Sequence, residues 1–99
     1  MSLDFDFKVK MTNRPAGFIG ELTRRLKESI QTPSHPWVSG NLYRGWRGRG
    51  KNSGVIRLWN VEHYGDYVED KGKSAGFASS VLTQRLADRL AKDVQEDLE

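Results

Sequence analysis

The sequence predicts an α+β fold in which a small antiparallel sheet with a long β-hairpin packs against an N-terminal and a C-terminal amphipathic helix. Three observations lead to this fold class. Apolar and charged residues alternate near the N-terminus, two later segments carry apolar residues at helical spacing, and a glycine- and arginine-rich stretch leads into a segment of strand composition. Each helix then has one apolar stripe and each strand one apolar face, and these surfaces must cover one another.

The first predicted element is a strand over residues 3–11. Its apolar positions alternate with charged ones: Leu3, Phe5, Phe7, Val9 and Met11 are interleaved with Asp4, Asp6, Lys8 and Lys10. A period of two is the pattern of a strand that buries one face. The strand is therefore expected to place its apolar side on the core.

The second predicted element is an amphipathic helix, Pro15–Gln31. Residues 12–15 offer a capping side chain and a proline suited to a first helical turn. Apolar residues then recur every four positions, at Phe18, Leu22, Leu26 and Ile30. Such spacing places them on one face of a helix. Pro33 and Pro36 prevent the helix from continuing.

The middle of the chain predicts a β-hairpin. Residues 45–54 contain four glycines, and they are expected to form a strand that passes into a long, flexible tip. The segment 48–54 is expected to be poorly ordered in an isolated subunit, because it has no apolar residue to offset the entropy of ordering. Val55–Val61 is rich in β-branched and aromatic residues and predicts the returning strand.

The last third of the chain predicts two helices. Tyr64, Tyr67 and Val68 share one face of a short helix. A long helix around Ala78–Leu98 follows a polar loop. Its apolar stripe consists of Val81, Leu82, Leu86, Leu90, Val94 and Leu98. No repeat or linker divides the chain, so residues 1–99 are expected to form a single domain.

Composition narrows the function classes. The chain is 36% hydrophobic and 29% charged, and its aromatic content of 10% argues against disorder. It contains no cysteine, so disulfides and thiolate metal sites are excluded. There is no apolar run near 18 residues and no basic-then-apolar leader, so we expect neither a membrane contact nor a secretory signal.

No residue pattern points to bond chemistry. His35 lies between two prolines, and with a single further histidine a metal site is not expected. Glu62, Asp66 and Glu69 lie near His63, but their spacing is that of the polar face of a short helix. We therefore expect no catalytic residue, no metal, no cofactor and no enzymatic activity.

Charge is distributed unevenly. No acidic residue lies between Ser29 and Val61, a span that contains Arg44, Arg47, Arg49, Lys51 and Arg57, whereas the last predicted helix carries five acidic residues against three basic ones. This asymmetry suits contact with nucleic acid or head-to-tail pairing of subunits through unlike surfaces. It also suits a simple solvated surface.

The basic segment contains aromatic residues as well. Arg44, Arg47, Arg49 and Lys51 are interleaved with Tyr43 and Trp46, which is the combination of charge and stacking that nucleic-acid binders use. The two aromatic residues also fit a role as core or interface anchors, which we favour. The candidate contact residues are Arg44, Trp46, Arg47, Arg49 and Lys51.

Two local motifs and the order of elements resemble the small tail-completion (head–tail joining, or neck) proteins of tailed bacteriophages. The first motif is a Ser/Thr-Gly-x-Leu-x-x-x-Trp turn, matched by Ser39, Gly40, Leu42 and Trp46. The second is Asn-x-x-x-Tyr-x-x-Tyr-Val-Glu, matched by Asn60, Tyr64, Tyr67, Val68 and Glu69. The resemblance covers roughly residues 15–98, and its sharp part is 39–69.

This resemblance implies a structural role. Proteins of this family are subunits of a ring, commonly hexameric, that completes the tail or neck and docks it to the connector of the head. The implied partners are other copies of the chain, connector or neck proteins and tail-tube proteins, with DNA passing through the lumen. The implied location is the virion, at the head–tail junction or tail end. The alternative is a small basic nucleic-acid-binding accessory protein.

Overall fold

The computed structural model describes residues 3–31, 44–62 and 76–99. In chain order these residues form strand β1 (Asp4–Lys8), helix α1 (Phe18–Ile30), strands β2 (Trp46–Gly50) and β3 (Val55–Asn60), and helices α2 (Phe77–Val81) and α3 (Gln84–Leu98). The strands form one antiparallel sheet in the order β1-β3-β2. The predicted α+β class is confirmed, with β3 at the centre and β1 and β2 at the edges.

One face of the sheet and the helices form the core. The sheet contributes Phe7, Trp46, Ile56 and Leu58, and α1 contributes Phe18, Leu22, Leu26 and Ile30. From the C-terminal helices come Ala78, Leu82, Ala87, Ala91 and Val94. The apolar stripe predicted for the first helix is thus confirmed, since its four members are at most 1% exposed.

Strand β1 follows the predicted alternation but is shorter than residues 3–11. Its charged positions are exposed, and its apolar positions are buried or half-buried. Pairing with β3 begins where the Asn60 amide donates to the Leu3 carbonyl at 3.0 Å. It ends where the Val9 amide donates to the Gly54 carbonyl at 2.9 Å. Residues beyond Val9 leave the sheet because β3 offers no further partner.

Helix α1 begins about one turn later than Pro15. Asn13, with a φ of 57°, lies in a turn, and the Phe18 amide donates to the Pro15 carbonyl at 3.2 Å. Gly17 then takes a left-handed conformation with a φ of 81° immediately before the helix. Two left-handed backbone conformations, at Asn13 and Gly17, therefore precede the first helical residue, and the predicted start was wrong.

The predicted long tip is wrong as well. Gly48 and Gly50 belong to β2, where they pair with Leu58 and Ile56. The connection to β3 is a tight turn, in which the Lys51 amide donates to Val55 and the Gly54 amide donates to Lys51, both at 2.9 Å. The stretch therefore consists of paired strand residues followed by a short turn.

The strand glycines allow α1 to lie close to β2. A Cβ atom on Gly48 would stand 2.8 Å from Leu58 Cδ2 and 3.0 Å from Thr23 Cγ2. On Gly50 it would stand 2.5 Å from Thr23 Oγ1 and 2.9 Å from Ile19 Cγ1. All four distances are shorter than van der Waals contact, so the helix, together with Leu58 of β3, occupies the space that a side chain would need.

The C-terminal segment is two helices where one was predicted. Helix α2 ends at Val81, and Thr83 caps α3 by accepting a hydrogen bond from the Leu86 amide at 3.1 Å. The small residues Ala87 and Ala91 lie deepest with Val94, whereas Leu98 at the end of the predicted stripe is 40% exposed. The break changes which face of α3 meets α1, and alanines permit close approach.

A charge network joins α1 to α3. Arg25 donates to Asp97 of α3 at 2.7 Å and to Glu21, one turn earlier in α1, at 3.0 Å. Arg24 also pairs with Glu21 and with Glu28. The hydrogen bonds from Arg24 and then Arg25 lower the pKa of Glu21 to about 2.

In the ranges that the structure covers, no helix has the length and hydrophobicity of a transmembrane span.

Candidate interaction surface on the open face of the sheet

The second face of the sheet points away from α1 and α3. Alternation along each strand directs the side chains between the core positions to this side. We call it the open face, and its side chains are those of Asp4, Asp6, Lys8, Arg47, Arg49, Val55, Arg57 and Trp59. The six charged members are exposed, and Val55 and Trp59 are half-buried.

Register separates the charges on the open face by sign. Asp6 of β1 is directly opposite Arg57 of β3, and Arg57 is directly opposite Arg49 of β2. Directly opposed like charges destabilise a sheet, so the Arg49–Arg57 pair has no stabilising purpose within the fold. Both carboxylates lie on the β1 edge, which also carries Lys8, and the guanidinium groups lie on β3 and on the β2 edge.

Arg57 is held by two neighbours. Its Nε and Nη2 donate to the two carboxylate oxygens of Asp4 at 2.9 and 2.6 Å. Its guanidinium carbon lies 5.3 Å from the centre of the Trp59 ring, within the range of a cation–π contact. The hydrogen bonds from Arg57 hold the pKa of Asp4 below its ordinary value.

The cations predicted from the sequence cluster on and beside β2. Arg47, Arg49 and Lys51 are exposed, and Arg44 lies exposed just before the strand. Arg47 donates to the carbonyls of Arg44 at 2.9 Å and Trp46 at 3.0 Å. Within the described ranges, Arg49 and Lys51 form no ion pair. Their charge is available to a partner.

Trp46 is not part of this surface, although the sequence grouped it with the cations as a contact residue. It is 1% exposed, and its ring centre lies 6.2 Å from that of Phe5. The aromatic residue on the open face is Trp59, which the sequence analysis did not select. Its alternation with Arg57 was the available signal, because residues two apart in a strand share a face.

Asn60 closes β3. Its side chain is 0% exposed, and its Oδ1 accepts a hydrogen bond from the Glu62 amide at 2.9 Å. This side chain therefore organises the end of the central strand. The remaining motif residues, Ser39, Gly40, Leu42, Tyr64, Tyr67 and Glu69, lie outside the described residues, as do both histidines.

One edge of the sheet carries a side-chain clamp that the sequence did not reveal. Gln84, the first residue of α3, accepts from the Lys8 amide at 3.1 Å and donates to the Lys8 carbonyl at 2.7 Å. A side-chain amide thus takes the place that the next strand would occupy. Covering backbone groups in this way is one means of protecting a sheet edge.

The open face carries charged and aromatic side chains. It offers Arg57, which is held by Asp4, further cations on β2, the indole ring of Trp59, and two carboxylates on β1. Within the described part of the chain, no group of three or more His, Cys, Asp or Glu residues could hold a metal ion. Comparisons with protein-family models, curated proteins and solved structures returned no match to this chain.

Proposed function

We propose that this protein is a structural subunit of the neck or tail-completion ring of a tailed phage or prophage, where several copies, commonly six in the family that it resembles, join tail to head. The observation that carries the proposal is the separation of charge across the sheet. Arg49 and Lys51 lie at the β2 side, and Asp6 lies on β1 at the other edge. A subunit with unlike edges can repeat around an axis through one heterologous contact, which closes into a ring when the rotation permits.

Weak contacts fit this role. An exposed ion pair contributes about 0–1 kcal/mol, so one such contact does not hold two free subunits together. On a connector or tail-tube template, several contacts act together and the effective concentration of neighbours is high. In this proposal the protein is therefore a virion component that assembles on its partners, with DNA in the lumen of the ring.

The test is made in the phage or prophage that carries this chain. Deleting its coding sequence should leave DNA-filled heads and separate tails, and imaging of wild-type particles should place the protein in a symmetric ring at the junction. The R47E/R49E/K51E variant should fold and fail to restore joining, because these side chains are exposed and lie outside the core.

The matched control is R85E/R89E/K92E, which makes the same change of charge at exposed positions of α3. It should restore joining. Normal joining in the deletion strain, or particles that contain the protein without a ring, would contradict the proposal.

Nucleic-acid binding is the second candidate, and the stacked pair of Arg57 and Trp59 favours it. A cation over an indole beside further arginines is an arrangement suited to single-stranded bases. A titration with DNA at several salt concentrations measures it, because phosphate contacts make affinity fall steeply with salt. If R47E/R49E/K51E still completes particles but loses DNA affinity, this second function replaces the first.

A further inference from the structure

We infer that copies of this chain associate by strand addition, with the edge strand β2 of one copy pairing in parallel with the edge strand β1 of the next. The inference rests on the proposed function, because it specifies the contact between ring subunits. A second copy of the chain is then the partner of both edges.

Strand β2 has outward-facing backbone groups at its glycines. The Lys51 amide donates to Val55 and the Val61 amide donates to Gly45 across the hairpin. Bonded pairs alternate in an antiparallel ladder, so between these ends the inward groups belong to Arg47 and Arg49. The N–H and C=O of Gly48 and Gly50 therefore point away from β3.

Strand β1 has outward groups at its aspartates. Leu3 and Val9 bond to β3 at the two ends of the ladder. By the same alternation, the backbone groups of Asp4, Asp6 and Lys8 point away from β3. Gln84 already satisfies those of Lys8. Among the described residues, two positions of β1 remain without a backbone partner on this side, at Asp4 and Asp6.

Strand direction supports a repeating arrangement. Both β1 and β2 run antiparallel to β3, so they run in the same direction as each other. Copies related by rotation about one axis, with their open faces on the same side, would therefore bring β2 and β1 together in parallel. The backbone agrees with this direction. In a parallel pair, a residue whose backbone bonds to the partner strand lies opposite a residue whose backbone does not. Gly48, whose backbone groups point outward, can therefore lie opposite Phe5, whose backbone groups bond to β3. Both residues lie on the core side of the sheet.

Charge selects the register. Placing Gly48 opposite Phe5 puts Arg47 opposite Asp4 and Arg49 opposite Asp6. The two glycines then form three hydrogen bonds: Gly48 N–H to Asp4 C=O, Asp6 N–H to Gly48 C=O, and Gly50 N–H to Asp6 C=O. The Asp4 N–H faces the Trp46 carbonyl, which already accepts a hydrogen bond from Arg47 Nη1. A further bond, to the Gly50 carbonyl, would require the Lys8 amide, which Gln84 occupies. The ladder therefore ends where the clamp begins.

The neighbouring registers are less favourable. Moving β2 by two residues toward the end of β1 puts Arg49 opposite Lys8, where like charges repel. It also requires the backbone amide that Gln84 occupies. Moving β2 by two residues in the opposite direction leaves only Arg49 and Gly50 of β2 opposite residues of β1. The chosen register pairs Asp6, which has no ion pair in the described residues, with Arg49, which has none either.

Cysteine cross-linking tests the contact directly, because the chain contains no native cysteine. Across the inferred interface the Cα atoms of residues 6 and 49 would lie about 5 Å apart, within the range of a disulfide. Inside one chain, Arg57 lies between Asp6 and Arg49, so they are about 10 Å apart. That distance is too long for a disulfide.

Full-length D6C and R49C chains are mixed, oxidised and run on a non-reducing gel. We expect a D6C–R49C dimer, and from the D6C/R49C double variant a ladder of covalent multimers. The matched control mixes R49C with K92C, since Lys92 is also exposed but lies on α3. The control should give at least tenfold less dimer. Circular dichroism of each variant verifies its fold.

The same reaction is repeated in assembled particles, which separates the two proposals. If the protein is required for joining and forms a ring, yet residues 6 and 49 cross-link no better than the control in solution and in particles, strand addition is overturned and the function stands. If heads and tails join without the protein, the function fails. A specific 6–49 ladder in purified protein would still establish the strand contact.

Discussion

Gly50→Ala measures how closely α1 lies on β2. The new methyl group would stand 2.5 Å from Thr23 Oγ1, 2.9 Å from Ile19 Cγ1 and 3.3 Å from the Ile19 carbonyl oxygen. The first two distances cannot persist, so the side chains of Thr23 and Ile19, or the elements that carry them, must move. Overpacking of this kind costs about 1–3 kcal/mol. In a domain of this size each kcal/mol lowers Tm by about 4–8 °C.

Two further substitutions test whether close packing of α1 on β2 is the cause of the expected loss of stability. Gly20→Ala adds the same methyl group to the exposed side of α1, where nothing lies within 4 Å of it. Because alanine favours a helix over glycine, G20A should stabilise by about 0.5–1 kcal/mol. Thr23→Ala removes the nearest obstructing atom, so G50A/T23A should be more stable than the sum of the single changes predicts.

Urea denaturation followed by circular dichroism gives the free energy of unfolding of each variant. We expect opposite signs for G50A and G20A, and a coupling of about 0.5 kcal/mol or more between residues 50 and 23. A G50A variant as stable as the wild type would refute the close packing. The glycine-rich stretch would then be the loose tip that the sequence suggested.

Three other changes have defined outcomes. Leu22→Ala should lower the free energy of unfolding, measured by urea denaturation, by about 3–5 kcal/mol, because Leu22 is 0% exposed. Leu98→Ala, at 40% exposure, should lower it by under about 0.5 kcal/mol. Similar losses in the two variants would show that the core is not where the structure has it. Gly54→Ala should destabilise more than G50A, because the φ of Gly54 is +94° and its Cβ would lie 2.1 Å from the Val9 carbonyl oxygen; a variant as stable as the wild type would contradict the turn. The folded-state pKa of Glu21 is lowered from 4.5 to about 2, so its stabilisation is present above about 4.5 and is lost as pH falls toward 2. Glu21→Gln should therefore weaken the pH dependence of the denaturation midpoint in that window, and an unchanged profile would exclude this pairing.

The parts of the fold that were predictable are those whose signal is local. Alternation in residues 3–9 and the four-residue spacing from Phe18 to Ile30 each follow from one element burying one face. The helix break at Thr83 escaped this reasoning because Leu82 and Leu86 keep helical spacing across it. A capping hydroxyl decided the boundary, and the apolar pattern did not.

The glycines of β2 were misread for a different reason. Gly48 and Gly50 are compatible with flexibility and with close packing, and only the position of Thr23 on α1 separates the two cases. The same holds for the tryptophans. Trp46 and Trp59 lie on opposite faces of the sheet, because the hairpin register pairs Trp46 with Asn60 and Trp59 with Arg47. Alternation with Arg57 was a local signal for Trp59, whereas the contact of Gly50 with α1 and the burial of Trp46 depend on tertiary packing that no local pattern contains.

The Gln84 clamp limits how far a sheet built from this chain can grow. A fully open β1 would accept almost any extended segment, and such edges are where aggregation begins. With Lys8 already bonded, an added strand would find two residues of β1 whose outward backbone groups have no partner among the described residues. So short a ladder would favour strands whose side chains also match, and it would dissociate when they do not. In the assembly proposed above, the Gln84 amide would therefore act as a proofreading element, because an incorrect neighbour would leave before the ring closes around it.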